Sequence, residues 1–142
     1  MTMFPVTKVL IVDDHALARQ IVINALQELN ITLVETATNG TEARDALYAA
    51  YDAGRPFDVV FLDWDMPEIE GIDVLKHFRL HPEFNKTAFI MLTAASDQSE
   101  VLQAAKSGAT SYIVKPASKE VIAKKFNEAV EWTRKQKIKY NL

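Results

Sequence analysis

Polar residues of a recurring kind stand immediately after the apolar runs of this sequence. Asp13 and Asp14 follow one run, Asp63 a second, Thr93 a third and Lys115 a fourth. Carboxylates suit a hard divalent cation, and a lysine with a hydroxyl suits the oxygens of a bound anion. These residues could together perform chemistry on a phosphate, provided that the chain brings them to one place.

The apolar runs have the character of strands in a parallel sheet. They are short and nearly unbroken rather than alternating, as expected for strands that helices cover on both faces. The four runs are Val9–Val12, Val59–Leu62, Phe89–Leu92 and Tyr112–Val114, and a weaker, partly alternating fifth, Thr32–Ala37, is typical of an edge strand.

Apolar residues at helical spacing fill the intervals between these runs. The predicted helices extend from Ala18 to Leu29, from Ala43 (after Thr41) to Ala50, from Ile72 to Phe78, from Asp97 to Gly108 and from Ser118 to Thr133. Asp97 with Glu100 resembles a capping box, and Ser118 can cap the last helix. The order βαβαβαβαβα with short connections predicts a single α/β domain, an open parallel sheet with helices on both faces.

In such a sheet, ligands bind at the carboxyl ends of the strands, so the polar residues should converge. Two carboxylates about 4 Å apart repel by roughly 4 kcal/mol at an effective dielectric of about 20. Three together would consume much of a total stability of roughly 5–15 kcal/mol. A divalent cation relieves this repulsion, and all-oxygen ligands favour Mg²⁺.

With Mg²⁺ bound, Asp63 could act as a carboxylate nucleophile toward phosphorus. Lys115 would contact one phosphoryl oxygen and Thr93 would donate a hydrogen bond to another. Each residue also has a simpler interpretation. Asp14 could cap a helix, Asp63-Trp64-Asp65 could be an acidic turn, Thr93 and Lys115 could be strand-end and surface residues, and Tyr112 could belong to the core. The joint occurrence favours the functional interpretation.

Composition limits the other possibilities. The 142 residues are 49% hydrophobic and 25% charged and include no cysteine, which fits one globular domain without disulfides or thiolate metal sites. No apolar run is long enough for a signal peptide or membrane span, so a cytoplasmic protein is expected. Residues 131–142 carry four cations and one anion, a net +3, so the preceding residues carry −6. The acidic body argues against direct DNA binding.

The residues quoted above resemble those of the CheY-like response-regulator receiver family, from about Thr7 to Thr133, within one domain whose basic tail covers 134–142. The resemblance implies a flavodoxin-like sheet of strand order 2-1-3-4-5. It also implies that Asp13 and Asp14 bind the metal, that Asp63 is the phosphoacceptor, and that the backbone carbonyl of Asp65 is a further metal ligand.

By the same resemblance, Thr93 and Tyr112 are a switch pair, in which the hydroxyl moves toward the phosphoryl group and the ring swings inward. Lys115 contacts phosphate, and the bond from Lys115 to Pro116 is expected to be cis. Three residues depart from the family pattern, namely Asp65 (acidic), Ala95 (no side chain to assist hydrolysis) and Ala117 (in place of phenylalanine). These three departures affect what can be expected for the lifetime of the phosphorylated form and for the choice of partner.

The implied function is a two-component or phosphorelay switch rather than an enzyme with a separate substrate, although it would promote its own phosphorylation and dephosphorylation. Its partners would be a sensor histidine kinase or phosphotransfer protein, a downstream protein at the 97–137 face and possible phosphatases. A chemotaxis role and a relay role both stay open.

Two alternatives compete with this interpretation. The first is a phosphatase of the haloacid-dehalogenase type, whose DxD sequence Asp63-Trp64-Asp65 resembles, although that sequence belongs on a first strand in a larger chain. The second is a receiver cut from a multidomain transcriptional regulator, with Met1 and Leu142 weakly favouring a complete chain. None of His15, His77 and His81 is assigned a transfer role, and His15 is expected to be an exposed residue at a helix start.

Overall fold

The computed structural model describes residues 6–94 and 98–140. The strands are β1 (Lys8–Val12), β2 (Leu33–Ala37), β3 (Val59–Asp63), β4 (Ala88–Thr93) and β5 (Ser111–Val114). The helices are α1 (Ala16–Glu28), α2 (Gly40–Asp52), α3 (Gly71–Arg79), α4 (Gln98–Lys106) and α5 (Lys119–Tyr140), with a 3₁₀ turn at Pro82–Phe84.

The five strands form one parallel sheet in the order β2-β1-β3-β4-β5. This confirms the predicted α/β class and strand order. The order reverses between β1 and β3, where the carboxyl ends of the two strands leave a crevice between diverging loops. Asp63 of β3 lies opposite Leu92, and Thr93 of β4 lies opposite Val114, so the polar residues end their strands at nearly the same level.

Apolar residues of the sheet pack on two separate layers. Val9 and Ile11 face α1 and α5, whereas Leu10 and Val12 face α2 and α3. All residues of β3 and β4 are buried, which is why their sequences show no alternation. Because helices cover both faces of these strands, the position of each strand within the sheet is fixed. The side chains that follow the strands are therefore fixed at its carboxyl edge.

The edge strands differ from the central ones. β2 is partly exposed, as its weaker pattern indicated. The sequence pattern groups β5 with the doubly covered strands, and that part of the prediction is wrong: within it only Ile113 is buried, while Tyr112 is 37% and Val114 36% exposed. The last strand in the order has a neighbour on one side alone, so helices cover it less completely.

The helix ends follow local capping chemistry. α2 begins at Gly40, earlier than predicted, because the Asn39 side chain accepts from the Glu42 amide at 2.8 Å while Glu42 accepts from Thr38 in return. Ser118 caps α5 by accepting from the Val121 amide at 3.2 Å, as predicted. The expected cap Asp97 lies outside the described residues.

α5 is longer than its apolar pattern predicted, since it continues through the basic segment to Tyr140. Lys137 Nζ lies 2.8 Å from Asp58 Oδ1, which attaches this last part of the helix to the sheet. Within the described ranges, no helix combines the length and the apolar character needed to cross a membrane.

Candidate functional site

Three of the charged residues singled out in the sequence meet directly at the carboxyl edge of the sheet. Lys115 Nζ lies 2.7 Å from Asp13 Oδ2 and 3.1 Å from Asp63 Oδ1. The lysine and Asp13 are far apart in the sequence, and their meeting follows from β1, β3 and β5 ending at the same edge. Lys115 offsets part of the repulsion between the two carboxylates.

Asp13 is held rigidly. Its side chain is fully buried, and Oδ1 accepts from the His15 amide at 2.9 Å while its amide donates to Ala37 O at 3.1 Å. Arg19 donates to the Asp13 carbonyl at 2.8 Å, which connects α1 to the end of β1. The carboxylate therefore has one fixed orientation toward Lys115 and the crevice.

Asp14 and His15 form the outer side of the site. Asp14 is exposed, and its Oδ1 lies 3.1 Å from His15 Nδ1. The N-cap residue of α1 is His15, which makes no side-chain capping hydrogen bond, so the interpretation of Asp14 as a helix cap is not supported. As expected, His15 is an exposed helix-start residue, with 73% of its side chain accessible.

Asp63 is the most unusual carboxylate of the site. Its side chain is 3% exposed, Oδ1 accepts from Lys115, and the buried Oδ2 has no hydrogen-bond partner among the residues that the structure describes. Burial raises the pKa of Asp63 from 3.8 to about 6; the Lys115 hydrogen bond opposes this rise and the Asp13 charge adds to it. A buried carboxylate oxygen of this kind is suited to binding a cation or to accepting a hydrogen bond from a ligand.

Lys115 is affected in the opposite sense. Burial by itself lowers the pKa of the ammonium, but the hydrogen bonds to Asp13 and Asp63 outweigh it, so the pKa of Lys115 is raised. The lysine therefore stays charged at neutral pH and can contact an anionic group.

The donor set suits a divalent cation. One ligand atom from each of Asp13, Asp14, His15 and Asp63 lies within 4.8 Å of the others. Three of the four are carboxylate oxygens, the ligands that Mg²⁺ prefers. One of them comes from Asp63, whose Oδ2 has no hydrogen-bond partner among the described residues. Sequence reasoning gave His15 no place here, although its position next to the acidic pair was a usable signal.

The loop after Asp63 depends on a glycine. A Cβ at Gly71 would stand 2.0 Å from the Asp63 carbonyl oxygen, and the Gly71 amide donates to Trp64 O at 2.9 Å. Trp64 is itself buried, and its amide donates to Leu92 O at 2.8 Å. These contacts turn the chain sharply behind the carboxylate, while Asp65 stays exposed and borders the crevice. The expected role of the Asp65 carbonyl as a metal ligand stays a prediction.

The two residues expected to form a switch have contacts on α4 and α5. Thr93 is buried, and its hydroxyl donates to Glu100 Oε2 at 3.0 Å. Tyr112 is not a core residue: its ring is partly exposed, with Lys125 Nζ 5.7 Å from the ring centroid. The contact between Thr93 and Glu100 was not foreseen, since the sequence indicated Glu100 only as part of a helix cap.

A cavity of about 560 Å³ opens beside Asp63 and Lys115. Leu17 and Ile21 of α1 form one wall, and Pro116 and Ala117 form another. The bond between Lys115 and Pro116 is cis. The small side chain of Ala117 borders this space, so the acidic site is accessible from a largely apolar groove.

The other two histidines lie elsewhere. His77 Nε2 is 2.6 Å from the Tyr48 hydroxyl, and the His77 and His81 rings are 4.9 Å apart between α2 and the end of α3. Burial and the nearby Arg44 and His81 lower the pKa of His77. Neither residue contacts the acidic cluster.

Comparisons with known proteins agree with this geometry. A family model described as the response regulator receiver domain matches residues 9–127. Chemotaxis protein CheY1 of Helicobacter pylori is 37% identical over 118 residues, which cover 83% of this chain and 92% of that protein. The structure of chemotaxis protein CheY4 of Vibrio cholerae has a TM-score of 0.75 at 34% identity and covers 88% of this chain and 99% of that one.

A chain of the CheX–CheY–BeF3–Mg²⁺ complex from Borrelia burgdorferi is also similar, with a TM-score of 0.75 at 28% identity, covering 84% of this chain and 86% of that one. These matches do not favour the haloacid-dehalogenase alternative, and the DxD sequence begins at the end of the third strand rather than the first. The acidic cluster, the lysine and the strand order all point the same way: the chain belongs to the response regulator receiver family, and it is a phosphoacceptor of two-component signalling.

Proposed function

We propose that Asp63 is the residue that accepts the phosphoryl group. The observation that supports this most strongly is the Asp63 carboxylate itself, which is buried at the end of β3. Its Oδ1 accepts from Lys115, and its Oδ2 has no hydrogen-bond partner within residues 6–94 and 98–140. It also borders the cavity through which a donor can approach. Asp13 is more deeply held by its own hydrogen bonds, and Asp14 is exposed and lacks the contact with Lys115.

In the proposed reaction, a carboxylate oxygen of Asp63 forms a bond to phosphorus as the bond from phosphorus to the donor atom breaks. The electron pair of the broken bond stays with the leaving group, which is the imidazole of a phosphohistidine or the carboxylate of a small acyl phosphate. The product is an acyl phosphate on Asp63. Lys115 remains charged and contacts a phosphoryl oxygen.

We propose that Mg²⁺ is held by Asp13, Asp14, Asp63 and the backbone carbonyl of Asp65, where it would neutralise carboxylate and phosphoryl charge. The protein's own contribution is to position these ligands. Arg19 holds the backbone at Asp13, and the close approach of Gly71 fixes the chain behind Asp63.

The acyl phosphate would be sensed by Thr93 and Tyr112. We propose that Thr93 donates its hydroxyl hydrogen to the phosphoryl group and that the partly exposed Tyr112 ring moves inward as α4 adjusts. The surface formed by residues 97–137 would then bind a downstream protein. Residues 95–97 lie outside the described ranges, so the role of Ala95 in the phosphoryl lifetime stays a prediction.

The donor would be a sensor histidine kinase or a phosphotransfer protein, and a phosphatase could promote hydrolysis of the acyl phosphate to the Asp63 carboxylate and inorganic phosphate. The complex from Borrelia burgdorferi, in which CheY is bound to CheX with BeF3 and Mg²⁺, supports a partner-binding role of this kind. Several relatives are chemotaxis proteins, which supports a chemotaxis target. We place the protein in the cytoplasm, where such kinases use ATP, and we expect it to assist its own phosphorylation and dephosphorylation.

Mass spectrometry tests the proposal. The protein is incubated with acetyl phosphate and Mg²⁺, and its intact mass gives the number of phosphoryl groups. A second portion is reduced with borohydride, which converts an aspartyl phosphate to homoserine with loss of phosphate, and is digested so that the homoserine marks the modified residue. One phosphoryl group per chain is expected, mapped to Asp63, and absent from Asp63→Asn. The matched control Asp65→Asn, which removes a nearby exposed carboxylate, should still be modified. Modification of another residue, or of Asp63→Asn to the same extent, would show that Asp63 is not the acceptor.

A further inference from the structure

The Thr93 hydroxyl is already engaged before any phosphoryl group arrives. It donates to Glu100 Oε2 at 3.0 Å, and the threonine is 3% exposed. A hydroxyl has one hydrogen to donate, so the same hydrogen cannot serve both Glu100 and a phosphoryl oxygen on Asp63. We infer that Glu100 is a positioning residue that holds Thr93 in the unphosphorylated arrangement and competes with the phosphorylated Asp63 for its hydroxyl. This inference rests on the proposed phosphorylation of Asp63.

The position of Glu100 makes the competition consequential for α4. Ala104 is the one buried residue among the nine of this helix, whereas α3, of equal length, buries five. Leu102 of α4 is 57% exposed. With so little apolar surface holding the helix, the hydrogen bond from its first turn to β4 contributes to its attachment near the site. Release of Thr93 by Glu100 would therefore remove one contact between the first turn of α4 and β4.

The strength of the contact suits a reversible competition. Hydrogen bonds to a charged acceptor are stronger than those between neutral groups, and this one is largely shielded from water at the Thr93 end. Glu100 itself is only partly buried and lies in the first turn of α4, where the helix dipole favours a negative charge. Loss of the hydrogen bond from Thr93 therefore does not leave Glu100 as a fully buried charge. A phosphoryl group carries a charge of about −1.5 to −2 and is a stronger hydrogen-bond acceptor than the carboxylate.

Removal of the competing acceptor should make the phosphorylated arrangement easier to reach. The measurement is the affinity for beryllofluoride, which stands in for the phosphoryl group on Asp63, at saturating Mg²⁺, followed by the fluorescence of the buried Trp64. We expect Glu100→Ala to bind about tenfold more tightly than the wild type, the size of one charge-assisted hydrogen bond. Glu100→Gln, which keeps a neutral acceptor, should gain about threefold. Asp73→Ala removes an exposed acidic residue from the first turn of α3, outside the surface of residues 97–137, and should leave the beryllofluoride affinity unchanged.

A double-mutant cycle separates positioning from a general effect of charge or helix packing. In a Thr93→Ala background, Glu100→Ala should give no further gain, because the competed group is already gone. An unchanged affinity in Glu100→Ala would overturn the inference, and so would an equal gain with and without Thr93. Undiminished binding by Asp63→Asn is a distinct outcome, which would overturn the proposed phosphoacceptor and the inference with it.

Discussion

Replacement of Asp63 by asparagine should stabilise the protein while abolishing its proposed function. Asparagine has nearly the same shape as aspartate but carries no charge. In the folded chain the Asp63 carboxylate is buried beside the charge of Asp13, and one of its oxygens has no hydrogen-bond partner in the described part of the chain. The substitution removes the ionised form that this environment disfavours.

The magnitude follows from the pKa shift. Burial raises the pKa of Asp63 from 3.8 to about 6, a difference of about two units, and each unit corresponds to about 1.36 kcal/mol. The cost of ionising Asp63 in the folded state at neutral pH is therefore about 3 kcal/mol. That pKa already includes the Lys115 hydrogen bond. The asparagine amide nitrogen, however, would stand where Oδ2 has no partner among the described residues, a cost of about 1 kcal/mol. We expect a net gain of about 2 kcal/mol, or a melting temperature higher by about 4–8 °C for a chain of this size.

The pH dependence of the difference provides a sharper check. A carboxyl group whose pKa is raised in the folded state contributes stability below its unfolded pKa of 3.8 and loses it as the pH rises through about 6. The advantage of Asp63→Asn should therefore be small near about pH 4, grow up to about pH 7 and stay constant above it. Urea unfolding at several pH values, without divalent cations, measures it.

The matched control is Asp45→Asn, which removes the same charge from an exposed position in the middle of α2. It should change the free energy of unfolding by less than about 0.5 kcal/mol at every pH. Added Mg²⁺ should stabilise the wild type and the control but not Asp63→Asn, since a ligand stabilises only the state that binds it. A destabilised Asp63→Asn at neutral pH, or a gain equal at all pH values, would refute the reasoning from burial.

Three further substitutions test other parts of the site. Lys115→Met should lower the free energy of unfolding at neutral pH by about 2–3 kcal/mol in urea titrations, because it leaves two carboxylates uncompensated, and a loss that does not shrink on acidification would contradict this cause. Asp14→Ala should weaken Mg²⁺ binding at least about tenfold in a Trp64 fluorescence titration while leaving the melting temperature nearly unchanged, since this side chain is exposed; normal affinity would remove Asp14 from the ligand set. Gly71→Ala should destabilise by more than about 3 kcal/mol, because its Cβ would overlap the Asp63 carbonyl, whereas Gly54→Ala meets open space and should cost only about 1 kcal/mol for its positive φ; similar losses in calorimetry would argue against the close approach.

The sequence predicted the central strands of the sheet well, because the pattern that marks a strand lies within a few neighbouring residues. The central strands β3 and β4 are buried on both faces, so their residues are apolar without alternation, and a polar residue after such a run marks the strand's end. The same rule gave the meeting of Lys115 with Asp13, since parallel strands end at one edge. It failed for Tyr112 and Val114, because which strand lies at the edge depends on the order of strands in space.

Side-chain partners were less accessible to sequence reasoning. Glu100 was recognised only as a helix-start residue, and its bond to Thr93 requires α4 to pack over the end of β4. His15 was identified as exposed, but its place among the carboxylates depends on how α1 leaves β1. Such contacts join groups from different elements, and no periodicity along the chain records them.

The amino-acid sequence by itself determined which chemical groups are available and at which end of the sheet they stand, because residue type and strand period are properties of neighbouring residues. The tertiary structure alone decided the ionisation of Asp63 and the partner of Thr93. Burial raises the pKa of that carboxyl, and burial is produced by segments distant in sequence. The sequence therefore determined which functional side chains are present, and the packing of the chain determined their ionisation and their hydrogen-bond partners.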